Sequence, residues 1–284
     1  MIEVNQLRFK YPRHKDFTLK GLDFHIPQGE IFGFLGPSGA GKSTTQKILI
    51  GMLKRYEGSV RIMGKQLKDH GRDYYNAIGV AFEFPNFYSR FTALENLDLF
   101  RSLYDVKTEE PKKLLARVSL EEYGHMKVSD FSKGMKMRLN LCRALMHRPD
   151  ILFLDEPTSG LDPVNAKTVK DIILQLKSLG NTIIITTHNM NVAEEICDRV
   201  AFIVDGEIRL IDAPRALKVR EGKKAVRLEY REGTALRQAD YQLEGIGDNE
   251  SFLRLLRNGS IETIHTQEAS LDQLFIQVTG RTLT

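Results

Sequence analysis

Gly36-Pro37-Ser38-Gly39-Ala40-Gly41-Lys42-Ser43-Thr44 carries the most specific chemistry in this 284-residue chain. Its G-x-x-x-x-G-K-[ST] spacing follows the apolar run Ile31 to Leu35 and opens a helical pattern, so backbone N–H groups and the positive end of a helix converge on one point. Phosphate oxygens suit such a point. The glycines let the main chain come close, Lys42 offers a point charge to β and γ oxygens, and Ser43 offers a hydroxyl to Mg²⁺. The plain alternative is a glycine-rich turn before a helix. Strand, helix and the Lys-Ser pair together argue against it.

A second acidic pair suits the same chemistry. Ile151 to Leu154 is an apolar run that ends in Asp155-Glu156-Pro157, placing two carboxylates where side chains leave a sheet beside bound phosphates. Asp155 suits Mg²⁺, directly or through water, and Glu156 suits a general base acting on the attacking water. Upstream, Asp130-Phe131-Ser132-Lys133-Gly134-Met135 leads into a helical pattern with Met135, Leu139, Cys142 and Leu145 on one side. On residue type alone, Ser132 reads as a helix N-cap.

These residues need a frame, and the pattern supplies an α/β one. Ile31 to Leu35, Ile151 to Leu154, Thr182 to Thr186 and Val200 to Val204 are near-continuous apolar runs, expected of strands covered on both faces of a mostly parallel sheet. Helical spacing follows in Thr45, Ile48, Leu49, Met52 and Leu53, and again in Val169, Ile172, Ile173, Leu176 and Leu179. Ile2 to Tyr11 and Phe17 to Ile26 alternate as antiparallel strands. About 84 to 147 reads as an inserted helical subdomain. The first domain is expected over 1–215. A small α+β domain is expected over 216–284, with a strand at Val226 to Tyr230, a helix near Ser251 to Arg257, a strand near Ile261 to His265 and a last helix from Ser270.

Composition narrows the function classes. Hydrophobic residues at 42% and charged residues at 27% exclude a disordered tail or a disulfide scaffold. No apolar run reaches the length of a membrane span. The opening residues lack the pattern of a secretory signal, and Cys142 and Cys197 fall inside amphipathic patterns as small core residues, so a cytosolic setting is expected. The net charge of +4 is spread without a basic block and decides nothing.

With Ser132 and Gly134 shortly before the Asp155-Glu156 strand, the chain resembles the ATP-binding-cassette (ABC) family. The family has a signature with Ser and Gly at the positions of Ser132 and Gly134; Phe131, Lys133 and Met135 stand where Leu, Gly and Gln are usual, a variant typical of its exporter ATPases. The resemblance spans residues 1 to about 212. It implies that Tyr11 stacks on adenine, that Thr158-Ser159-Gly160-Leu161-Asp162 is a dimer-facing loop, and that His188 contacts the γ-phosphate. The bland readings are an aromatic that simply ends a strand at Tyr11 and a structural histidine at 188. Glu83 stands where the family has Gln reaching toward Mg²⁺ and water; a carboxylate still ligates a cation but adds negative charge beside the γ-phosphate. The aromatic stretch Phe84 to Phe91 is either core or the groove that receives a short helix of a membrane subunit. The tail from Ala269 to Arg281 is similar to the ending common in ATPases of ABC-2-type exporters.

The resemblance thus implies a P-loop ABC ATPase fold with an antiparallel β subdomain. It further implies ATP and Mg²⁺ as cofactors, a second ATP-binding subunit (identical or not) and an integral membrane permease at the cytoplasmic face of the cell membrane. No nucleic acid is expected. Hydrolysis would need a dimer, since Ser132 and Gly134 of one subunit would cover the phosphate held by Lys42 of another. The rival readings are a soluble cassette ATPase acting on nucleic acid or the ribosome, and a catalytically weak regulatory cassette, which rests on Glu83 alone.

Overall fold

The computed structural model describes residues 1–221, 224–267 and 269–281. They form two compact units, residues 1–213 and 214–281. Along the first unit run β1 (Ile2–Phe9), β2 (Leu19–Ile26), β3 (Ile31–Leu35), α1 (Lys42–Leu49), β4 (Glu57–Ile62), β5 (Lys65–Gln66), α2 (Asp73–Ala77) and β6 (Ile78–Ala81). They are followed by α3 (Ala93–Arg101), α4 (Pro111–Arg117), α5 (Lys133–Leu145), β7 (Ile151–Asp155), α6 (Pro163–Ser178), β8 (Thr182–Thr187), α7 (Met190–Ile196), β9 (Arg199–Val204) and β10 (Glu207–Asp212).

Among the described residues of this unit two sheets form. The larger has the order β10-β9-β3-β8-β7-β6, parallel from β9 to β6 and closed at one edge by antiparallel β10. Its central strands are buried along their whole length because helices and the second sheet cover both faces, which is why they read as unbroken apolar runs. The second sheet, β2-β1-β4-β5, is antiparallel and alternates buried with exposed residues. Phe24, Phe32 and Phe34 join the two sheets, with the Phe32 and Phe34 rings 5.2 Å apart, and Ile48 and Leu49 of α1 enter the same core. Each such fully buried side chain contributes roughly 1.5–3 kcal/mol. Cys142 and Cys197 are buried free thiols, as expected of core residues, and burial pushes both thiols up from their ordinary range. The described residues from 84 to 147 hold α3, α4 and α5 and no strand element.

The second unit contains α8 (Pro214–Glu221), β11 (Ala225–Glu232), β12 (Ala235–Gln242), α9 (Glu250–Asn258), β13 (Ser260–Gln267) and α10 (Leu271–Thr279). The strands form an antiparallel sheet in the order β12-β11-β13. Val226 and Leu228 pack with Phe252 of α9 on one face. The other face is laced by Arg227–Asp240 and Arg231–Glu262 pairs.

Several expectations are corrected. The first two strands are shorter than Ile2 to Tyr11 and Phe17 to Ile26, because residues 10–18 form the connection between them. α1 stops at Leu49, so Met52 is exposed, and Leu179 falls beyond α6 and is exposed as well. In the tail helix, where an amphipathic pattern turns Leu271, Leu274, Phe275 and Val278 inward, the first three are buried and Val278 is not. β4, β5, β10, α8 and β12 were not foreseen. β12 is an edge strand with mostly exposed side chains, so burial never imposed an apolar alternation on it.

Candidate functional site

Adjacent parallel strands deliver their C-terminal ends to one place, the position where open α/β sheets bind ligands. β3 ends at the glycine-rich loop, β7 at Asp155 and Glu156, β8 next to His188, and β6 shortly before Glu83. Lys42, Ser43, Thr44, Glu83, Asp155, Glu156, His188 and Tyr11 line one cavity of about 960 Å³, together with Ser38, Gly39, Ala40 and Gly41. Gly36 and Pro37 form the entry to the loop and meet Lys42, whose Nζ donates to their carbonyl oxygens at 2.6 and 3.0 Å. Gly41 has φ +112° at the N-cap of α1, a conformation costly for any residue with a Cβ, and it turns the chain from loop into helix.

Charge dominates the cavity. Burial lowers the Lys42 pKa, against the opposing pull of Glu156, Asp155 and Glu83. Burial raises that of Asp155, aided by the Glu156 charge and opposed by a hydrogen bond from the Thr186 hydroxyl and by Lys42. Three carboxylates therefore act on Lys42, and Asp16 and Asp205 outnumber the one further lysine, Lys20, a balance that an anionic ligand worsens unless a cation accompanies it. The donor set fits Mg²⁺: the Ser43 hydroxyl and the Asp155 and Glu83 carboxylates are all hard oxygen donors. Among the described residues no group of three or more His, Cys, Asp or Glu is placed to hold an ion alone, so phosphate oxygens would complete the shell.

Glu156 is the most constrained member. It is 8% exposed, and its carboxylate accepts from the Thr187 hydroxyl at 2.9 Å and the His188 backbone N–H at 2.9 Å, with His188 Nδ1 at 2.6 Å. Its backbone has φ +49°, a region that non-glycine residues rarely occupy and that clusters at functional sites. Tyr11 stands at the cavity edge, its hydroxyl 3.2 Å from Thr44 Oγ1 and its ring 4.8 Å from Phe9.

Ser132, Gly134 and Asp162 do not line this cavity. Ser132 caps α5, accepting from Met135 N–H at 3.1 Å, and Asp162 caps α6, accepting from Val164 and Asn165 N–H at 3.1 Å each. Gly134 is packed against the 158–162 turn: a Cβ there would stand 3.2 Å from Leu161 Cδ2. The expected site residues thus fall into two groups within one chain.

Sequence reading missed His14, Asp16, Phe17, Thr18, Lys20 and Asp205, which line the cavity from loops and strand ends without forming a motif. It also missed Gln46. This α1 side chain is buried, its Oε1 is 3.1 Å from the Thr186 hydroxyl, and its Nε2 has no partner. A polar residue inside the apolar stripe of α1 was the available signal.

Comparison with known proteins agrees with this geometry. A family model described as "ABC transporter" matches residues 19–159, and one described as "Fluoroquinolone efflux ABC transporter C-terminal domain" matches residues 224–268. The chain is 51% identical to a fluoroquinolones export ATP-binding protein of Mycobacterium tuberculosis, over 100% of this chain and 95% of that one. It is 34% identical to a Nod factor export ATP-binding protein of Burkholderia thailandensis, over 99% and 97%. Among solved structures, an ATP-binding subunit of an ABC transporter superposes with a TM-score of 0.70 at 28% identity, covering 78% of this chain and 93% of that one. A dimeric cassette in a post-hydrolysis state, bound to ADP and Pi, superposes at 0.67 with 27% identity, covering 75% and 98%. With the phosphate loop, the paired carboxylates and a relative matched end to end, this chain belongs to the ABC transporter family, as an exporter-type ATP-binding subunit that hydrolyses ATP.

Proposed function

We propose that each chain carries two complementary halves of an ATP site, and that two subunits close around ATP to drive export through a separate membrane permease. The observation that carries this reading is the separation of Lys42, Asp155 and Glu156 from Ser132, Gly134 and Asp162 within one chain. In the closed dimer the loop from Gly36 to Thr44 cradles the phosphates of one ATP, and Ser132 and Gly134 of the second subunit cover its γ-phosphate. Ser43, Asp155 and Glu83 would hold Mg²⁺, which when bound would supply positive charge beside the phosphate oxygens. Glu156 takes a proton from water as the water oxygen bonds to the γ-phosphorus and the bond to the bridging oxygen of ADP breaks. His188 holds the Glu156 carboxylate toward that water and reaches the γ-phosphate; Asp162 fixes the turn that meets the second subunit. Tyr11 stacks on adenine. Replacing Tyr11 by Ala is expected to cost about 1–3 kcal/mol of ATP affinity, with turnover at saturating ATP little changed. Titration calorimetry reads it, and an unchanged affinity returns Tyr11 to a packing role.

A groove of about 530 Å³ supports the permease contact. Met52, Tyr75, Phe84, Phe100 and Leu103 line it; Phe84 is 72% exposed and Leu103 68%. Arg143 stiffens its floor, lying 5.2 and 5.1 Å from the centres of the Phe87 and Phe100 rings. Exposed aromatics in a groove suit the apolar face of a short partner helix. No helix among the described residues is long and apolar enough to cross a membrane, so the translocation path is assigned to a second polypeptide, with this chain at its cytoplasmic face. The end-to-end similarity to a fluoroquinolones export protein and the matching C-terminal unit favour a drug of that class as cargo. Expression of the tagged chain beside its candidate permease tests the reading. Co-purification of an integral membrane protein is expected, and Phe84→Asp should reduce recovery about tenfold, as for loss of an interface anchor. Nuclease-sensitive recovery with RNA or DNA instead would support the nucleic-acid alternative.

A further inference from the structure

Lys133 is the first residue of α5, placed between Ser132 and Gly134. A cation there faces the positive end of its own helix, which the helix dipole disfavours. It makes no hydrogen bond or ion pair among the described residues. Its place is nonetheless built. Gly160 has φ +72°, and a Cβ there would stand 2.9 Å from Lys133 Cδ and 3.3 Å from Nζ. The lysine stem therefore crosses a bare part of the 158–162 turn, and the exposed ammonium lies on the surface that carries Ser132 and Gly134.

Glu83 has the opposite imbalance. It shares its cavity with Asp16, Asp155, Glu156 and Asp205, so that carboxylates outnumber the lysines Lys20 and Lys42 before ATP adds further negative charge. One half of the chain thus carries an excess anion and the other an unpaired cation. A two-fold dimer that brings Ser132 and Gly134 onto the partner's γ-phosphate brings both imbalances into the same cleft, twice.

We infer that Lys133 of one subunit and Glu83 of the other form a charge pair across the ATP-closed dimer, offsetting the carboxylate beside the γ-phosphate. The inference rests on the shared-site reading. Its test uses Glu156→Gln as parent, so that dimerisation is read without hydrolysis. Analytical ultracentrifugation with Mg-ATP measures the dimer dissociation constant for Lys133→Gly, Glu83→Gln and the double variant. Lys133→Gly is expected to weaken the dimer about tenfold, and the double variant to return to within about threefold of the parent. Glu83→Gln keeps an oxygen donor for Mg²⁺, and a circular-dichroism spectrum and melting curve of Lys133→Gly matching those of the parent guard against a simple folding defect. Additive effects, failed restoration, or a Lys133→Gly dimer as tight as the parent overturn the pair while leaving the shared site standing. A parent that shows no ATP-driven dimer overturns the shared site and the pair with it.

Discussion

Glu156→Gln is expected to retain ATP binding and to lose about 10²–10⁴-fold in steady-state turnover, the range for removing a general base. The substitution keeps the shape of the side chain, and the amide oxygen still accepts from the His188 N–H. On the proposed mechanism it removes the basic oxygen that takes the proton of the attacking water. If the closed dimer opens only after hydrolysis, as proposed, the variant should also accumulate as an ATP-bound dimer. Phosphate release together with nucleotide titration separates the two effects. Substantial steady hydrolysis by the purified variant would take Glu156 out of this role.

Lys42→Ala is expected to act on binding first. The cavity would keep Glu83, Asp155 and Glu156 and lose the lysine that all three surround. Removing one member of such a buried charge group costs about 3–5 kcal/mol, which corresponds to roughly 10²–10³-fold in ATP affinity or more. Turnover at any practical ATP concentration should fall to background. A variant that binds ATP within a few fold of the parent would show that the backbone of the loop holds the phosphates without its lysine.

Much of this was legible in the sequence, for identifiable physical reasons. The strands β3, β7 and β8 are buried on both faces, so burial wrote continuous apolar runs, and the residues after them fell at the sheet's C-terminal edge by topology. Lys42, Asp155, Glu156 and His188 were therefore findable from their place after a run. Tyr11 and Glu83 were findable only through resemblance, since their neighbours form no pattern. His14 and Asp205 from loops and Lys20 from the start of β2 reach the cavity through tertiary contact and left no local trace. The exposed edge strand β12 and the half-exposed β10 were missed for the complementary reason: solvent places no demand on side-chain alternation. The exposure of Phe84 was also beyond reach, because an aromatic run reads alike whether it faces a core or a groove.

The left-handed backbone at Glu156 sets durability against activity at a single residue. A side chain held at φ +49° costs on the order of 1–3 kcal/mol, and the surrounding sheet must supply that amount continuously. Selection for thermal endurance alone would favour Gly at this point, and with Glu156 as the proposed general base every such exchange would silence the enzyme. Efforts to harden this protein should therefore leave the tip of β7 untouched and work on the exposed strands of the second unit.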